Sequence, residues 1–135
     1  MKRLVFPALA VAAVLASCSS GLNHPVREVT ASLGADGIQR VRVTTHSFWF
    51  EPNRIVVKRG IPVELTVKNG AWFVPHDFSC DAMAAGFEVD ARVGMFHGSK
   101  KARFTATQAG EFPFHCDVDG HARKGMKGSL IVVEP

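Results

Sequence analysis

A thiol, an imidazole and a thioether follow one another at five-residue intervals near the C-terminus, as Cys116, His121 and Met126. Gly120 and Gly125 lie between them and allow the chain to form a tight loop. A thiolate with two imidazoles in a trigonal arrangement and a weak axial thioether is the ligand field of copper sites that transfer electrons. The loop therefore predicts a copper site that still lacks one imidazole.

The missing imidazole has a candidate forty residues upstream of the loop cysteine, in Val74-Pro75-His76-Asp77-Phe78. Three soft and borderline ligands from one loop require a fourth ligand from elsewhere in the chain, which favours His76. The alternative is that a histidine beside Pro75 is a buried hydrogen-bonding residue.

The elements that must position these ligands are short β-strands. Residues 40–44 and 63–68 alternate polar with apolar side chains, which is typical of strands with one buried face. No long stretch has a helical period, although residues 81–86 could form a single turn. Such a pattern predicts an all-β, Greek-key β-sandwich. Turn signals separate the strands at residues 34–37, 58–60, 68–70 and 108–110.

The alternation of side chains along a strand tests the copper hypothesis independently. In residues 111–116 it places Cys116 on the same face as the two preceding phenylalanines and sends His115 to the opposite face. In residues 76–80 it groups His76 with Phe78 and Cys80. An imidazole and a thiol are therefore expected at the ends of two aromatic-lined faces.

The Cys-x4-His-x4-Met loop, the upstream histidine and the closing segment 128–133 together resemble the cupredoxins, the type 1 blue copper proteins. The similarity is strongest over residues 47–135 and implies a cupredoxin-like fold.

The resemblance implies that one copper ion is bound by His76, Cys116 and His121 as equatorial ligands and by Met126 as the axial ligand. The chain departs from the common pattern at Asp77, where many relatives have Asn. This position bears on the hydrogen bonds near the thiolate.

The N-terminus predicts export. Lys2 and Arg3 precede an apolar run, residues 4–16, that is too short to span a bilayer and is typical of a secretory signal. The run ends in Leu-Ala-Ser-Cys, which looks like the bacterial lipobox, in which the cysteine is acylated and becomes the first residue. The alternative is an ordinary signal peptide cut nearby, with Cys18 lost or idle.

These features predict a lipoprotein signal peptide at 1–17, a flexible tether at 18–25 and a cupredoxin domain at 26–135. The product would be an exported bacterial lipoprotein, anchored to a cell membrane through lipid on Cys18 and facing the periplasm or the outside. Removal of the signal leaves 118 residues, enough for one domain with one core. The formal charge of +4 falls to +2 without Lys2 and Arg3, too mild to argue for nucleic acid.

Other residues that could bind metal have ordinary interpretations. Cys80 is predicted to be a buried free thiol, the alternative being a disulfide with Cys116 in an oxidised metal-free form. His115 is predicted to be a surface imidazole. A second, weaker copper site is conceivable, but scattered Met and His more often pack or face solvent. Its candidate residues are Met83, Met95 and His97.

Four protein ligands leave no open position for a substrate, so the site predicts an electron carrier and not an enzyme. Its partner would be a redox protein such as a cytochrome or a copper enzyme. In cupredoxins the residue equivalent to His121 is the electron port, and the resemblance extends that role to this chain. The nearby Arg123, Lys124 and Lys127 are either ordinary solvated charges or a basic rim that steers an acidic partner.

Three other functions can be compared with the sequence. A multicopper oxidase needs His-x-His pairs, and the chain contains none. A binuclear copper centre needs a second cysteine where Gly120 stands. A copper-handling or resistance protein would use the same ligands to carry copper instead of electrons, and this alternative stays open.

Overall fold

Eleven strands form two sheets in the computed structural model, which describes residues 24–135. The described residues contain two short 3₁₀ turns, Met83–Ala85 and Ala122–Lys124, and no helix long and apolar enough to cross a membrane. The strands are β1 (Glu28–Thr30), β2 (Ser32–Leu33), β3 (Gln39–His46), β4 (Trp49–Glu51), β5 (Arg54–Lys58), β6 (Val63–Asn69), β7 (His76–Ala82), β8 (Phe87–Val93), β9 (Ser99–Phe104), β10 (Gly110–His115) and β11 (Lys127–Val133).

The first sheet has the order β1-β5-β11-β10-β7-β8, and the second has the order β2-β3-β6-β9, with β4 paired to β3. The chain crosses between the sheets after β1, β4, β5, β6, β8 and β9, which gives the sandwich its non-local connectivity. Strands β1, β5 and β11 run parallel, whereas β10 is antiparallel to both β11 and β7. The all-β sandwich predicted from the sequence is confirmed.

The core lies between the sheets and follows the predicted alternation. Strands β3 and β8 bury every second side chain. Under the end of the sandwich that carries the predicted ligands, Phe78 stacks on Phe114 with ring centroids 4.3 Å apart, and Phe50 meets the Phe114 ring edge-on at 5.1 Å. Each aromatic side chain buries a large apolar area, so this cluster forms a rigid floor beneath the predicted site.

Glu64 differs from the simple alternation in β6. Its position predicts an exposed side chain, yet the residue is buried. Lys101 and Arg103 on the neighbouring strand β9 each approach its carboxylate, at 2.8 and 2.7 Å. Hydrogen bonds from these two cations lower the pKa of Glu64 to about 2. The outer face of β6 is therefore covered by long basic side chains that no local pattern in β6 reveals.

The predicted signal peptide 1–17, the acylated Cys18 and the greater part of the tether 18–25 lie outside the described residues. The single turn expected within residues 81–86 is present as the first 3₁₀ turn. The second 3₁₀ turn lies inside the ligand loop and was not predicted.

Candidate metal centre

Three neighbouring strands bring the predicted ligands to one end of the sandwich. β10 ends at His115, so Cys116 follows it directly. β7 is antiparallel to β10 and begins at His76. β11 is antiparallel to β10 on its other side and begins immediately after Met126. This end of the sandwich is called the metal end below.

The ligand atoms of His76, Cys116 and His121 lie within 4.8 Å of one another, and all three residues are buried. The Cys116 Sγ atom is 3.4 Å from Nδ1 of His121. The rings of His76 and His121 have centroids 5.0 Å apart. Two imidazoles and one thiol thus converge on a single point.

The loop that carries three of the four predicted ligands is closed by its own backbone. The Met126 N–H donates to the His121 carbonyl, and the Cys116 N–H donates to the Met126 carbonyl, each at 3.2 Å. Gly120 and Gly125 have φ of 77° and 99°, which glycine adopts without steric cost. The loop therefore brings Met126, which is fully buried, close to the thiol and the imidazole.

The state of His76 tests whether these residues fit a metal. Both of its ring nitrogens are buried, and neither has a hydrogen-bond partner within the described part of the chain. Burial, with the nearby His121 ring, lowers the pKa of His76 to about 4. A buried polar group without a partner is costly, and a neutral imidazole with a free lone pair is the form that binds metal. The site fits a soft or borderline metal ion.

Burial keeps the proton on the Cys116 thiol, whereas it keeps the His76 ring deprotonated. Burial raises the pKa of its thiol to about 11, while the backbone N–H of Asp77, 3.4 Å from the sulfur, acts to lower it. The metal-free thiol is therefore protonated at neutral pH. A cation must displace that proton to obtain a thiolate ligand.

Asp77 contributes to the site, and the alternation of side chains along β7 does not predict this. It follows His76 on β7, yet its side chain is almost completely buried. The carboxylate accepts a hydrogen bond from the backbone N–H of Asp117 at 2.6 Å. This bond joins β7 to the chain directly after Cys116, so it fixes one end of the ligand loop. The departure from the Asn found in relatives was the only sequence signal.

Asn69 also escaped the sequence interpretation, which placed it in a turn. It is the last residue of β6 and is completely buried. Its Nδ2 donates to the carbonyls of Val74 and Gly94, at 2.8 and 2.9 Å, and its Oδ1 accepts from the Ala71 N–H. These bonds fix the loop that leads into His76. The loop after β8 is held by the same side chain.

Phe48 covers the loop imidazole. Its ring meets the His121 ring edge-on with centroids 4.9 Å apart. The Lys124 ammonium lies 3.9 Å from the Phe48 centroid, a cation–π contact. His121 is 7% exposed, so only a narrow edge of one predicted ligand reaches the surface.

A model of the cupredoxin-like domain matches residues 6–132, nearly the whole chain. The chain belongs to the cupredoxin-like family. The buried cluster of His76, Cys116 and His121, with Met126 beside it, is consistent with a type 1 copper site. A search of curated sequences found no matching relative.

Solved structures resemble this cupredoxin along most of its length. The metal-binding domain of the Cu(I)-exporting P-type ATPase CopA of Streptococcus pneumoniae D39, solved with Cu(I), is 27% identical with a TM-score of 0.58, over 82% of this chain and 100% of that one. Auracyanin of Roseiflexus castenholzii is 20% identical with a TM-score of 0.61, over 76% and 98%. Rusticyanin of Thiobacillus ferrooxidans is 22% identical with a TM-score of 0.61, over 78% and 82%.

The remaining candidates take ordinary places in this cupredoxin. Cys80 is a buried free thiol, as predicted, and Cys116 is free as well. His115 points outward and its ring lies 2.7 Å from the Asp117 carboxylate. Met83 lies at the opposite end of β8 from Met95 and His97, so these three residues do not converge.

Proposed function

We propose that this cupredoxin binds one copper ion at His76, Cys116, His121 and Met126 and transfers single electrons. The observation that carries the proposal is the buried His–Cys–His cluster, in which His76 has two unpartnered ring nitrogens. Copper in such a ligand set supplies a one-electron couple whose two states prefer different geometries. A closed set of four protein ligands offers no position to a substrate.

The protein residues hold the geometry that such a couple requires. Neutral His76 needs no deprotonation above pH of about 4, the value of its pKa. The Asp77 N–H stabilises negative charge on the Cys116 sulfur. The stacked Phe78 and Phe114 rings lie beneath the ligand-bearing strand ends. A close-packed core of this kind resists movement, so little rearrangement accompanies electron transfer.

The electron would pass through His121, the ligand with an exposed edge. Its ring is flanked by Phe48 and Lys124, while Arg123 is exposed beside them. An apolar ring surrounded by positive charge suits contact with an acidic redox protein, such as a cytochrome or a copper enzyme.

The second candidate function is copper handling. It is favoured by the 27% identity to the metal-binding domain of a Cu(I)-exporting ATPase, which spans that whole domain. The two functions differ in what leaves the protein, an electron or the metal ion itself.

Spectroscopy and redox cycling test both functions. Copper-loaded protein should show an intense visible thiolate-to-copper band, and Cys116→Ser should lose the band while keeping its cooperative unfolding. Repeated reduction and reoxidation in the presence of a Cu(I) chelator then separates the candidates. Retention of copper supports electron transfer, whereas transfer of copper to the chelator after the first reduction supports copper handling.

We also propose that the protein is exported and held on a membrane by lipid on Cys18. The support is the Leu-Ala-Ser-Cys sequence after a short apolar run. Cys18→Ser should release a soluble domain or leave the precursor unprocessed. A fully processed Cys18→Ser variant in the membrane fraction would refute the lipid anchor.

A further inference from the structure

The chain enters the sandwich at the metal end. β1 is parallel to β5, and β5 is parallel to β11, whose first residue follows Met126. The residues before Glu28 therefore lie on the same side as the ligands. They are held there, because the His24 ring stacks on Trp49 with centroids 4.8 Å apart and the Asn53 Nδ2 donates to the Pro25 carbonyl at 3.2 Å.

The length of chain before His24 limits how the domain can face a membrane. Cys18 precedes His24 by six residues, which reach about 20 Å when fully extended. The seven-residue strand β11 by itself spans about 23 Å from the metal end toward the opposite end. A lipid on Cys18 therefore cannot reach a bilayer that the opposite end faces. An orientation that presents the metal end to the membrane meets this limit.

The metal end carries an exposed apolar surface, formed by Trp72, Phe73, Met95 and Phe96 and called the aromatic patch below. Trp72, Phe73 and Phe96 are 60%, 73% and 63% exposed. Phe73 and Phe96 meet edge-on at 5.9 Å, and the Phe96 N–H donates to the Trp72 carbonyl at 2.8 Å. Exposed patches of this kind mark interaction sites in soluble domains.

Contacts with Asn69 at the end of β6 hold the two loops that carry the aromatic patch. Asn69 anchors both loops through the carbonyls of Val74 and Gly94. The His97 ring lies 3.1 Å from the Asn69 carbonyl and edge-on to Trp72, with centroids 4.7 Å apart. The aromatic side chains are therefore presented outward by a fixed backbone.

Basic side chains flank the aromatic patch. Lys68, Arg92 and Lys100 lie on the strands that lead into or out of its two loops, and all three are exposed. Among the described residues, none of these three cations forms an ion pair. Exposed aromatic rings with positive charge around them match the interface of an anionic bilayer, which attracts basic residues and accommodates aromatic rings at the headgroup level.

We propose that this cupredoxin lies with its metal end on the membrane that holds Cys18, with Trp72, Phe73 and Phe96 in the headgroup region of an anionic bilayer. The proposal rests on the lipid anchor advanced under Proposed function. The short tether and the aromatic patch act together, because the first brings the metal end to the bilayer and the second gives it a contact there. The aromatic patch stands on the two loops held by Asn69, whereas the His121 edge is flanked by Phe48 and Lys124, so the electron partner has to reach His121 at the membrane surface, beside the patch.

The experiment uses the full lipidated chain, copper-loaded and reduced, reconstituted in protein-free vesicles of phosphatidylglycerol and phosphatidylcholine. Flotation of the wild type and of Cys18→Ser comes first. Wild-type protein should float with the vesicles, and Cys18→Ser should float far less. A wild type that stays at the bottom would overturn the lipid anchor and the orientation together.

Quenching by brominated lipids then tests the orientation by itself. The chain has two tryptophans, so Trp49→Phe leaves Trp72 as the single probe. The matched control combines Trp49→Phe with Trp72→Phe and Met83→Trp, which places the single probe on an exposed position at the opposite end. Brominated lipid should remove most of the Trp72 emission and leave that of the control unchanged.

The outcomes separate the two proposals. Addition of Phe73→Ser and Phe96→Ser should reduce the quenching of Trp72 without changing flotation, which would support the contact. Floating protein with equal quenching at both positions would overturn the orientation and leave the anchor intact. If the emission of Trp72 changes only after native membrane proteins are added, the aromatic patch binds a protein partner, and the bilayer contact is overturned.

Discussion

The backbone N–H of Asp77 approaches the sulfur of Cys116 at 3.4 Å, while the Asp77 carboxylate accepts a 2.6 Å hydrogen bond from the N–H that follows Cys116 in the chain. One residue thus contacts the thiol and ties the ligand loop to β7. The two effects on the thiol oppose each other, because the N–H favours the thiolate and the negative carboxylate disfavours it.

Asp77→Asn should raise the reduction potential of the copper site. Removal of a buried negative charge beside the metal favours Cu(I), which carries one positive charge fewer than Cu(II). A difference of about 1.4 kcal/mol corresponds to about 60 mV for one electron, and we expect a rise of at least this order. Protein-film voltammetry measures it. Asp119→Asn removes an exposed carboxylate from the same loop, and an equal rise in that control would contradict a specific effect of Asp77.

Met126→Leu should keep copper bound and raise the reduction potential, because a weak axial ligand tunes a site of this kind more than it holds the metal. The leucine side chain is of similar size, so the buried position stays filled. Voltammetry and a competition titration for copper are the measurements. A large loss of copper affinity would show that Met126 is a principal ligand.

Copper binding at pH 7 should release about one proton. The Cys116 thiol, with its pKa raised to about 11, is protonated in the metal-free protein, while the lowered pKa values of His76 and His121 leave both rings neutral. The apparent affinity should therefore rise about tenfold for each pH unit from about 7 to about 10. Calorimetry in buffers of different ionisation enthalpy counts the protons. Release of two would mean that one imidazole is charged before binding.

Gly128→Ala should destabilise the domain by roughly 1–3 kcal/mol. A Cβ at this position would lie 2.3 Å from Cζ of Phe114 and 2.4 Å from the carbonyl oxygen of Asn53, and a backbone atom cannot move aside cheaply. Gly94→Ala is the control, since a Cβ there meets no atom within 4 Å. Denaturant unfolding of the metal-free variants compares them, and similar losses at both positions would contradict the steric argument.

Reversal of Arg123 and Lys124 to Glu should slow electron transfer to an acidic partner and leave copper affinity nearly unchanged. The wild-type rate should fall with added salt, which screens charges over about 10 Å at 0.1 M. The same reversal at Lys58 and Arg59, at the opposite end of β5, is the matched control. Stopped-flow rates that respond equally to both reversals, or to neither, would remove the steering role.

Local patterns in the sequence were sufficient for strands β3, β6, β7 and β10 and for the identity of the ligand types. Alternation placed Cys116 on the face of the buried Phe114 and the partly buried Phe112 and sent His115 to the opposite face, because successive side chains of a strand point to opposite faces. The loop from Cys116 to Met126 closes on itself, so its three ligands were visible from spacing alone.

Tertiary structure decided what depends on contacts between distant segments. The meeting of His76 with Cys116 follows from the pairing of β7 with β10, and no local pattern fixes which strands become neighbours. The burial of Asp77 and Glu64 arises from partners forty and thirty-seven residues away, at Asp117 and Lys101. The entry of the chain at the metal end likewise follows from the parallel pairing of β1 with β5, because strand order and direction are set by the packing of the whole sandwich.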